Sequence, residues 1–272
     1  MVTLLCPVCG EPLAKSEKTY VCPRNHSFDL AKSGYVNLLL NSSQGHHGDD
    51  KLMVRARKEF LDTGYYDSLS AEIAAACAQY APQHAVVVDA GCGEGKYTLD
   101  VLSALHRARK TADMVGIDIS KDALSYAAKR SKEFILAVAS SSHMPLPDHC
   151  ADLLLNIFSP YVPEEFHRIL KRGGKLLRVY PLEDHLWELK QLIYDRPYKN
   201  PPTPLETSGF RILETRTVSY PIHLPCAQDI MALFRMTPYY YKTGRADQQK
   251  ASSAAELTVS LSFGITIYET TS

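Results

Sequence analysis

The 272-residue chain has no excess of charge of either sign: 30 lysines and arginines balance 30 aspartates and glutamates, for a formal net charge of +0. That balance argues neither for nor against a polyanionic partner, so any nucleic-acid role must rest on local patches or on motifs. Long hydrophobic runs are missing too. No stretch of 18 consecutive apolar residues occurs, which excludes an ordinary membrane-spanning helix and predicts no membrane partner. The opening MVTLLCPVCG carries no charged head before a long apolar run, so the expectation is a soluble cytoplasmic protein. An even cysteine count is absent as well; the seven present disfavour a disulfide framework, as does the cytoplasmic expectation. What remains is a chain with 45% hydrophobic residues, ample for one α/β domain plus a small accessory module.

The cysteines are unevenly placed. Cys6, Cys9 and Cys22 gather near the start with His26 four residues beyond the third, whereas Cys77, Cys92, Cys150 and Cys226 are scattered. Two cysteines separated by two residues can turn both sulfurs toward one point on a tight knuckle, and Pro7 and Gly10 suit such a turn. The Cys22, His26 pair offers a second edge, completing the four soft ligands of a tetrahedral zinc. A redox CxxC belongs near a βαβ unit, and none is here. Three thiolates and one imidazole close the site, so the zinc is expected to be structural, holding together about forty residues that are too few to bury a core unaided. Residues 1–42 are therefore read as a zinc-binding module and residues 43–272 as a second domain, with the Asn, Ser, Gly and His stretch at 41–48 as linker.

A helix is expected from Asp49, capped by Asp49 or Asp50, with Leu52, Met53, Ala56, Phe60 and Leu61 as its apolar stripe. Lys51, Arg55 and Lys58 form its other side, ordinarily a solvated face. Gly64 ends it, and a second helix follows from Asp67 to Tyr80. The period then changes. AVVVDAGCGEG, residues 85–95, is a β-branched strand running into glycines at 91, 93 and 95. An apparent helix reaches about His106, MVGID ends at Asp118, a helix spans Ser120 to Arg130, and strands follow near FILAVA, ADLLLNI and KRGGKLLRVYP. Such alternation predicts a largely parallel sheet with helices on both faces and a ligand at the carboxyl ends of its strands.

Glycines at the first turn let the backbone pass close to a ligand, and the following helix offers free amides. Asp118 is placed to accept from the hydroxyls of a ribose, a role compatible with capping the helix that starts at Ser120. Acidic Asp89 before the turn and Glu94 within it would repel a pyrophosphate. They suit a cofactor bearing an ammonium and a sulfonium, so S-adenosylmethionine is favoured over a nicotinamide dinucleotide. Cys92 reads as a small filler, since nothing near it makes a nucleophile. Ser140, Ser141 and Ser142, in VASSSHMPLPD, can meet an adenine edge. NIFSPY, residues 156–161, stands where methyltransferases of amino or ring nitrogens often carry an Asn/Asp-Pro-Pro-aromatic loop; Asn156, Ser159, Pro160 and Tyr161 could frame a planar substrate or form an ordinary loop.

CPVCGEPL, YVCPRNHSFDLAKSGYVNLL, ARKEFLDTGYY, DAGCGEGKYT, GIDISK, ASSSHMPLPD, HLWELKQLIY and MTPYYYK occur in this order. Nearly end to end they closely resemble the bacterial ribosomal RNA large-subunit methyltransferase A family, guanine-N1 methyltransferases of 23S rRNA. The resemblance implies a class I, Rossmann-like, S-adenosylmethionine-dependent methyltransferase with a small N-terminal zinc-binding module held by Cys6, Cys9, Cys22 and His26. It implies that Glu94 and Gly95 line the cofactor site, that Tyr66 and His185 close over it, and that Asp118 meets the ribose. Asp89, Gly91, Gly93 and Ser141 complete the expected set. Tyr66 and His185 enter through the resemblance alone; by pattern they are a packed aromatic after Gly64 and a histidine at a helix start.

The resemblance further implies a homodimer whose zinc modules help form an RNA cleft, and a target guanine in a hairpin near the peptide exit tunnel. One branch of the family is linked to antibiotic resistance against macrolides such as tylosin; the sequence does not announce its branch. Asp184, His185 and Glu94 are the groups placed to serve as general base, with no choice among them from sequence. Lys15, Lys18, Arg24 and Lys32 of the zinc module, with Lys51, Arg55 and Lys58, are the candidate phosphate contacts. Tyr239 to Tyr241 could stack on a base, although core packing is their ordinary role, and VSLSFGITIY is expected to complete the sheet. Two rivals remain: a methyltransferase of a small molecule or protein with a zinc docking module, and a noncatalytic RNA-binding protein with a relic cofactor site, against which the intact glycine loop speaks.

Overall fold

The structure is a computed structural model that describes residues 2–40 and 50–271. The expected linker at 41–48 and Asp49 lie outside the described residues. At the N-terminus, β1 (Ala14–Lys15), β2 (Thr19–Val21) and β3 (Ser27–Asp29) form a three-stranded antiparallel sheet. The next strand, β4 (Tyr35–Asn37), leaves it and pairs in parallel with Leu136–Val138 at the edge of the main sheet.

After the undescribed stretch comes α1 (Lys51–Leu61), whose first turn is closed by the Asp50 carboxylate accepting from the Met53 amide at 2.8 Å. Its buried face is Met53, Val54, Ala56, Phe60 and Leu61. Leu52, expected in that stripe, is instead 74% exposed, because the 3.6-residue period brings Val54 onto the face and carries position 52 off it. The helix α2 (Asp67–Tyr80) leads into β5 (His84–Ala90), α3 (Lys96–Arg107), β6 (Thr111–Asp118), α4 (Lys121–Arg130), β7 (Phe134–Val138), β8 (Ala151–Ile157), α5 (Pro163–Ile169) and β9 (Leu170–Pro181). The chain ends with α6 (Trp187–Ile193), β10 (Phe210–Leu224), α7 (Ala227–Arg235), a 3₁₀ turn (Tyr240–Lys242), α8 (Arg245–Ser253) and β11 (Leu257–Thr270).

The strands of the main sheet run β10-β11-β9-β8-β5-β6-β7-β4. From β9 to β4 every pairing is parallel, and β11 and β10 close the other edge antiparallel. With helices covering both faces, consecutive strand residues alternate between two cores: Val87, Leu153 and Leu177 belong to one cluster, and Val88, Leu154 and Leu176 to the other. This is why these strands read as continuous apolar runs. The second cluster also contains Leu4, Cys6, Leu13, Tyr20 and Cys22. The zinc module thus shares its small core with the sheet, as about forty residues would need to.

From β5 the chain builds outward through β6 and β7, then crosses back to place β8 on the other side of β5. A crevice opens at that reversal, outside the carboxyl ends of β5 and β8. No helix among the described residues is long and apolar enough to cross a membrane.

Candidate active site and metal centre

Two short turns build the metal centre. Gly10 donates its amide to the Cys6 carbonyl at 2.8 Å, and Asn25 donates to that of Cys22 at 2.9 Å, folding each ligand pair back on itself. The ligand atoms of Cys6, Cys9, Cys22 and His26 all lie within 4.8 Å of one another. Cys9 Sγ is 3.7 Å from Cys22 Sγ, and His26 Nδ1 is 3.5 Å from Cys6 Sγ and 3.4 Å from Cys22 Sγ. Zinc bond lengths of about 2.3 Å to sulfur and about 2.0 Å to nitrogen give tetrahedral edges of roughly 3.8 Å and roughly 3.5 Å. The residues fit a tetrahedral zinc with no position left open.

A cavity of about 860 Å³ occupies the crevice at the sheet reversal. Tyr66, Asp89, Gly91, Gly93, Glu94, Asp118, Ser141 and His185 all line it. Gly95 does not; it begins α3, with its Cα facing Ala127 of α4. Gly93 has a φ of +56° and open space where a Cβ would stand, so the backbone there is bare toward the cavity. Its amide donates to Asp118 Oδ2 at 2.8 Å, while Ser120 N donates to Oδ1 at 2.8 Å. Asp118 therefore fixes the turn through one carboxylate oxygen and the start of α4 through the other.

Asp89 is 1% exposed. Thr98 Oγ1 donates to its Oδ2 at 2.6 Å, but its buried Oδ1 has no partner. Burial, reinforced by the Asp118 charge and opposed by the Thr98 hydroxyl, pushes its carboxyl up to about 7. An orphaned carboxylate oxygen and a bare glycine turn in one cavity fit a cofactor with a cationic amino-acid end. Glu94, 2% exposed, is ion-paired to Arg130 of α4, whose Nε also donates to the Glu94 carbonyl at 3.0 Å. Arg130 reaches on to Asp62 after α1 at 2.8 Å. Burial still raises the Glu94 carboxyl, against the pull of Arg130.

Tyr66 sits edge-on to Phe60 and Phe263, at 5.7 and 5.4 Å between ring centres. The His185 ring lies 4.4 Å from Phe263, and its Nδ1 accepts from the Ser262 amide at 3.2 Å. That bond places the proton of the neutral ring on Nε2. Burial and the nearby Lys190 ammonium bring the ring down to about 3, so His185 offers the cavity a donor. Of the other candidate bases, Glu94 is occupied by Arg130, and Asp184 pairs with Lys199 at 2.9 Å, away from the cavity wall.

The NIFSPY loop is braced by Asn156, whose Nδ2 donates to Ser159 Oγ at 2.6 Å and to the Pro160 carbonyl at 3.1 Å. Asn156, Ser159 and Pro160 line the cavity, as does Phe158. Tyr161 is turned away, its ring 5.8 Å from Phe166 and 3.8 Å from the guanidinium carbon of Arg178. Sequence reading also missed Asn200, whose Nδ2 donates to the carbonyls of Leu182 (2.9 Å) and His185 (3.4 Å), while its Oδ1 accepts from Lys190 (2.6 Å) and the Tyr239 hydroxyl (3.0 Å). Tyr239 is thereby held as cavity wall. Cys92 is buried, and burial pushes its thiol well up, consistent with a filler. On α1 the expected cationic face is largely neutralised, because Arg55 pairs with Glu59 at 2.7 Å and Lys58 with Asp62 at 2.6 Å.

Comparison with known proteins agrees with this geometry. Residues 4–41 match the zinc-ribbon family described as RlmA, N-terminal, and residues 82–216 match a methyltransferase domain. Over 267 residues, 93% of each chain, the sequence is 34% identical to a Bacillus subtilis protein with the provisional name 23S rRNA (guanine-N(1)-)-methyltransferase YxjB. The chain belongs to the 23S rRNA (guanine-N1)-methyltransferase family. A Micromonospora griseorubida member, also provisionally named, is 39% identical over 205 residues, 68% of each chain. The 23S rRNA (guanine(748)-N(1))-methyltransferase of Streptomyces fradiae is 39% identical over 189 residues, 68% of this chain and 66% of that one. As a family member with a methyltransferase domain and a zinc ribbon, the protein uses S-adenosylmethionine and a structural zinc ion.

Proposed function

We propose that the protein transfers a methyl group from S-adenosylmethionine to N1 of a specific guanine in a hairpin loop of 23S rRNA. The observation that carries this reading is how the zinc ribbon is seated. Leu5 donates its amide to the Pro145 carbonyl at 2.8 Å, in the loop that follows Ser140–Ser142, and β4 is bonded into the sheet. A head fixed beside the cavity can hold a macromolecular substrate at a set distance, whereas a tethered docking module would hold it loosely. In this reading residues 1–42 are the RNA-recognition module and residues 43–272 the methyltransferase domain.

When bound, the cofactor supplies an electrophilic methyl group on a sulfonium. Asp89 and the Gly91–Gly95 turn would hold its amino-acid end, Asp118 its ribose and Ser141 its adenine, with Glu94 beneath the turn and Tyr66 and His185 closing over it. The guanine must leave its base pair to expose N1, which a loop position makes less costly. The protein then contributes chiefly by positioning. Lys15, Lys18, Arg24 and Lys32 on the head are the proposed phosphate contacts. A homodimer would bring two heads to one RNA cleft, and a ribosomal RNA substrate puts the enzyme in the cytoplasm.

Reverse transcription across 23S rRNA tests the reading, because a methyl group on the pairing edge halts the polymerase. Purified protein with S-adenosylmethionine is expected to create one new stop. No stop, together with no labelled methyl in the RNA, would overturn it.

A further inference from the structure

We infer that Phe158 and Arg178 form the seat of the target guanine, with the Phe158 ring against its face and the Arg178 guanidinium at O6. This rests on the guanine-N1 reading. Phe158 has a φ of +53°, a left-handed region that is unfavourable for a residue bearing a side chain. Its amide donates to the Val179 carbonyl at 3.3 Å, fixing the turn to β9. The strained backbone does not bury the ring: Phe158 is 45% exposed on the cavity wall, backed by Phe263 at 5.5 Å and Tyr97 at 6.3 Å between ring centres. Strain that leaves a large aromatic open to a cavity points to a ligand on its free face. Tyr161, the aromatic that the loop pattern nominates, faces Phe166 and Arg178 instead.

Arg178 is the direct register partner of Asn156 across β8 and β9 and also lines the cavity. It donates to the Pro204 carbonyl at 2.9 Å, its guanidinium carbon stands 3.8 Å from the centre of the Tyr161 ring, and among the described residues it forms no ion pair with a carboxylate. A guanidinium has five N–H donors, so several remain for a planar base edge. The carboxylates of the cavity are otherwise committed: Glu94 to Arg130, Asp118 to two amides, and Asp89 to Thr98 through Oδ2 and, in the reading above, to the cofactor's ammonium through its unpartnered Oδ1. His185 presents a donor. With no side chain among the described residues placed to take it, the N1 proton passes to water at the cavity mouth. The N–H pair becomes the new N–C bond, the C–S pair stays on a neutral thioether, and the charge spread onto O6 during the change is met by Arg178.

The test uses the full chain and the 23S rRNA fragment that contains the mapped stop, with Phe158→Ala, Phe158→Trp, Arg178→Gln and Arg178→Lys. Binding is measured without cofactor to the intact fragment and to one abasic at the target. Phe158→Ala is expected to bind the intact fragment about 10-fold more weakly and the abasic one unchanged, with Phe158→Trp near wild type. Arg178→Gln is expected to slow single turnover about 100-fold, the rate climbing at least one pH unit further before levelling, and Arg178→Lys restores part of it. Loss of S-adenosylmethionine affinity in step with rate would put these residues in the cofactor site and overturn the seat. So would equal weakening on both fragments, or wild-type rates and pH profiles throughout, while a wild type that leaves no stop sinks the methyltransferase reading itself.

Discussion

A Cβ placed on Gly91 would stand 2.4 Å from Cβ of Ser159. The glycine turn and the loop after β8 are therefore keyed together at one point, where Ser159 Oγ also donates to the Ala90 carbonyl and accepts from Asn156. Gly91→Ala must push Ser159 off both bonds and hold alanine at a φ of +93°. The expected cost is about 2–4 kcal/mol in urea unfolding, with at least a tenfold loss of S-adenosylmethionine affinity by calorimetry. Adding Ser159→Gly should return the packing part of that loss and leave the backbone part. Equal stability of Gly91→Ala and wild type would show that the two loops are not keyed.

Arg130 ties the turn to α4 and to the end of α1 through Glu94 and Asp62. Arg130→Ala leaves a carboxylate that is 2% exposed without its cation, a defect of about 3–5 kcal/mol, whereas Glu94→Gln should cost less. Burial already raises the Glu94 carboxyl, and removing Arg130 raises it further. A raised carboxyl contributes its stability in acid and loses it as pH rises, so the deficit of Arg130→Ala is expected to be smallest near pH 4 and to widen toward neutrality. Parallel unfolding curves for the two proteins across that range would refute the pairing.

Legibility in the sequence followed the distance between cooperating residues. The metal ligands come in two local pairs, and the strand, glycine turn and Asp118 repeat a local pattern, so both could be read. α2 (Asp67–Tyr80) was legible because an alanine-rich run of good helix formers follows the break at Gly64, although Tyr66 at its start supplies no side-chain cap. Arg130, 36 residues from Glu94, has no local signal. β10 was missed because it is an edge strand: Arg211, Glu214, Arg216 and Pro221 interrupt its apolar positions, and a bulge between Ile212 and Glu214 breaks the alternation. Its neighbour β11, buried on both sides, reads as a strand at once. The loop pattern left Tyr161 open between a substrate frame and an ordinary loop and gave Phe158 no role, yet the left-handed backbone at Phe158 turns that residue to the cavity. Tyr66 and His185 needed the resemblance, since the fold alone brings both against Phe263.

Asp89 should couple cofactor binding to protons. Its carboxyl sits at about 7 chiefly because it is buried, so the stability it contributes is full below its unfolded value of 3.8 and is lost as pH rises toward 7. A cationic group arriving at the unpartnered Oδ1 favours the ionised form. Calorimetry in buffers of different ionisation enthalpy should find close to one proton released per cofactor near pH 6, and little above pH 8. Asp89→Asn should abolish the release and flatten the loss of apo-protein stability between pH 4 and 7. A buffer-independent enthalpy in wild type would count against the assignment.

Removing the metal should weaken the whole molecule. Leu4, Cys6, Leu13 and Cys22 share one buried cluster with Ala139, Met144 and Leu146 from the cofactor side, and β4 supplies the edge strand beside β7. A head joined by core and hydrogen bonds cannot unfold while leaving its neighbours unchanged. Purified protein is expected to carry one zinc per chain, and a chelator or Cys9→Ser should lower the midpoint of a single thermal transition. S-adenosylmethionine affinity should fall with it, because the Leu5 amide supports the Pro145 turn beside the cavity. A separate early transition with cofactor affinity intact would instead describe a bead on a tether, and would remove the structural argument that the head holds RNA at a fixed distance from the transferred methyl.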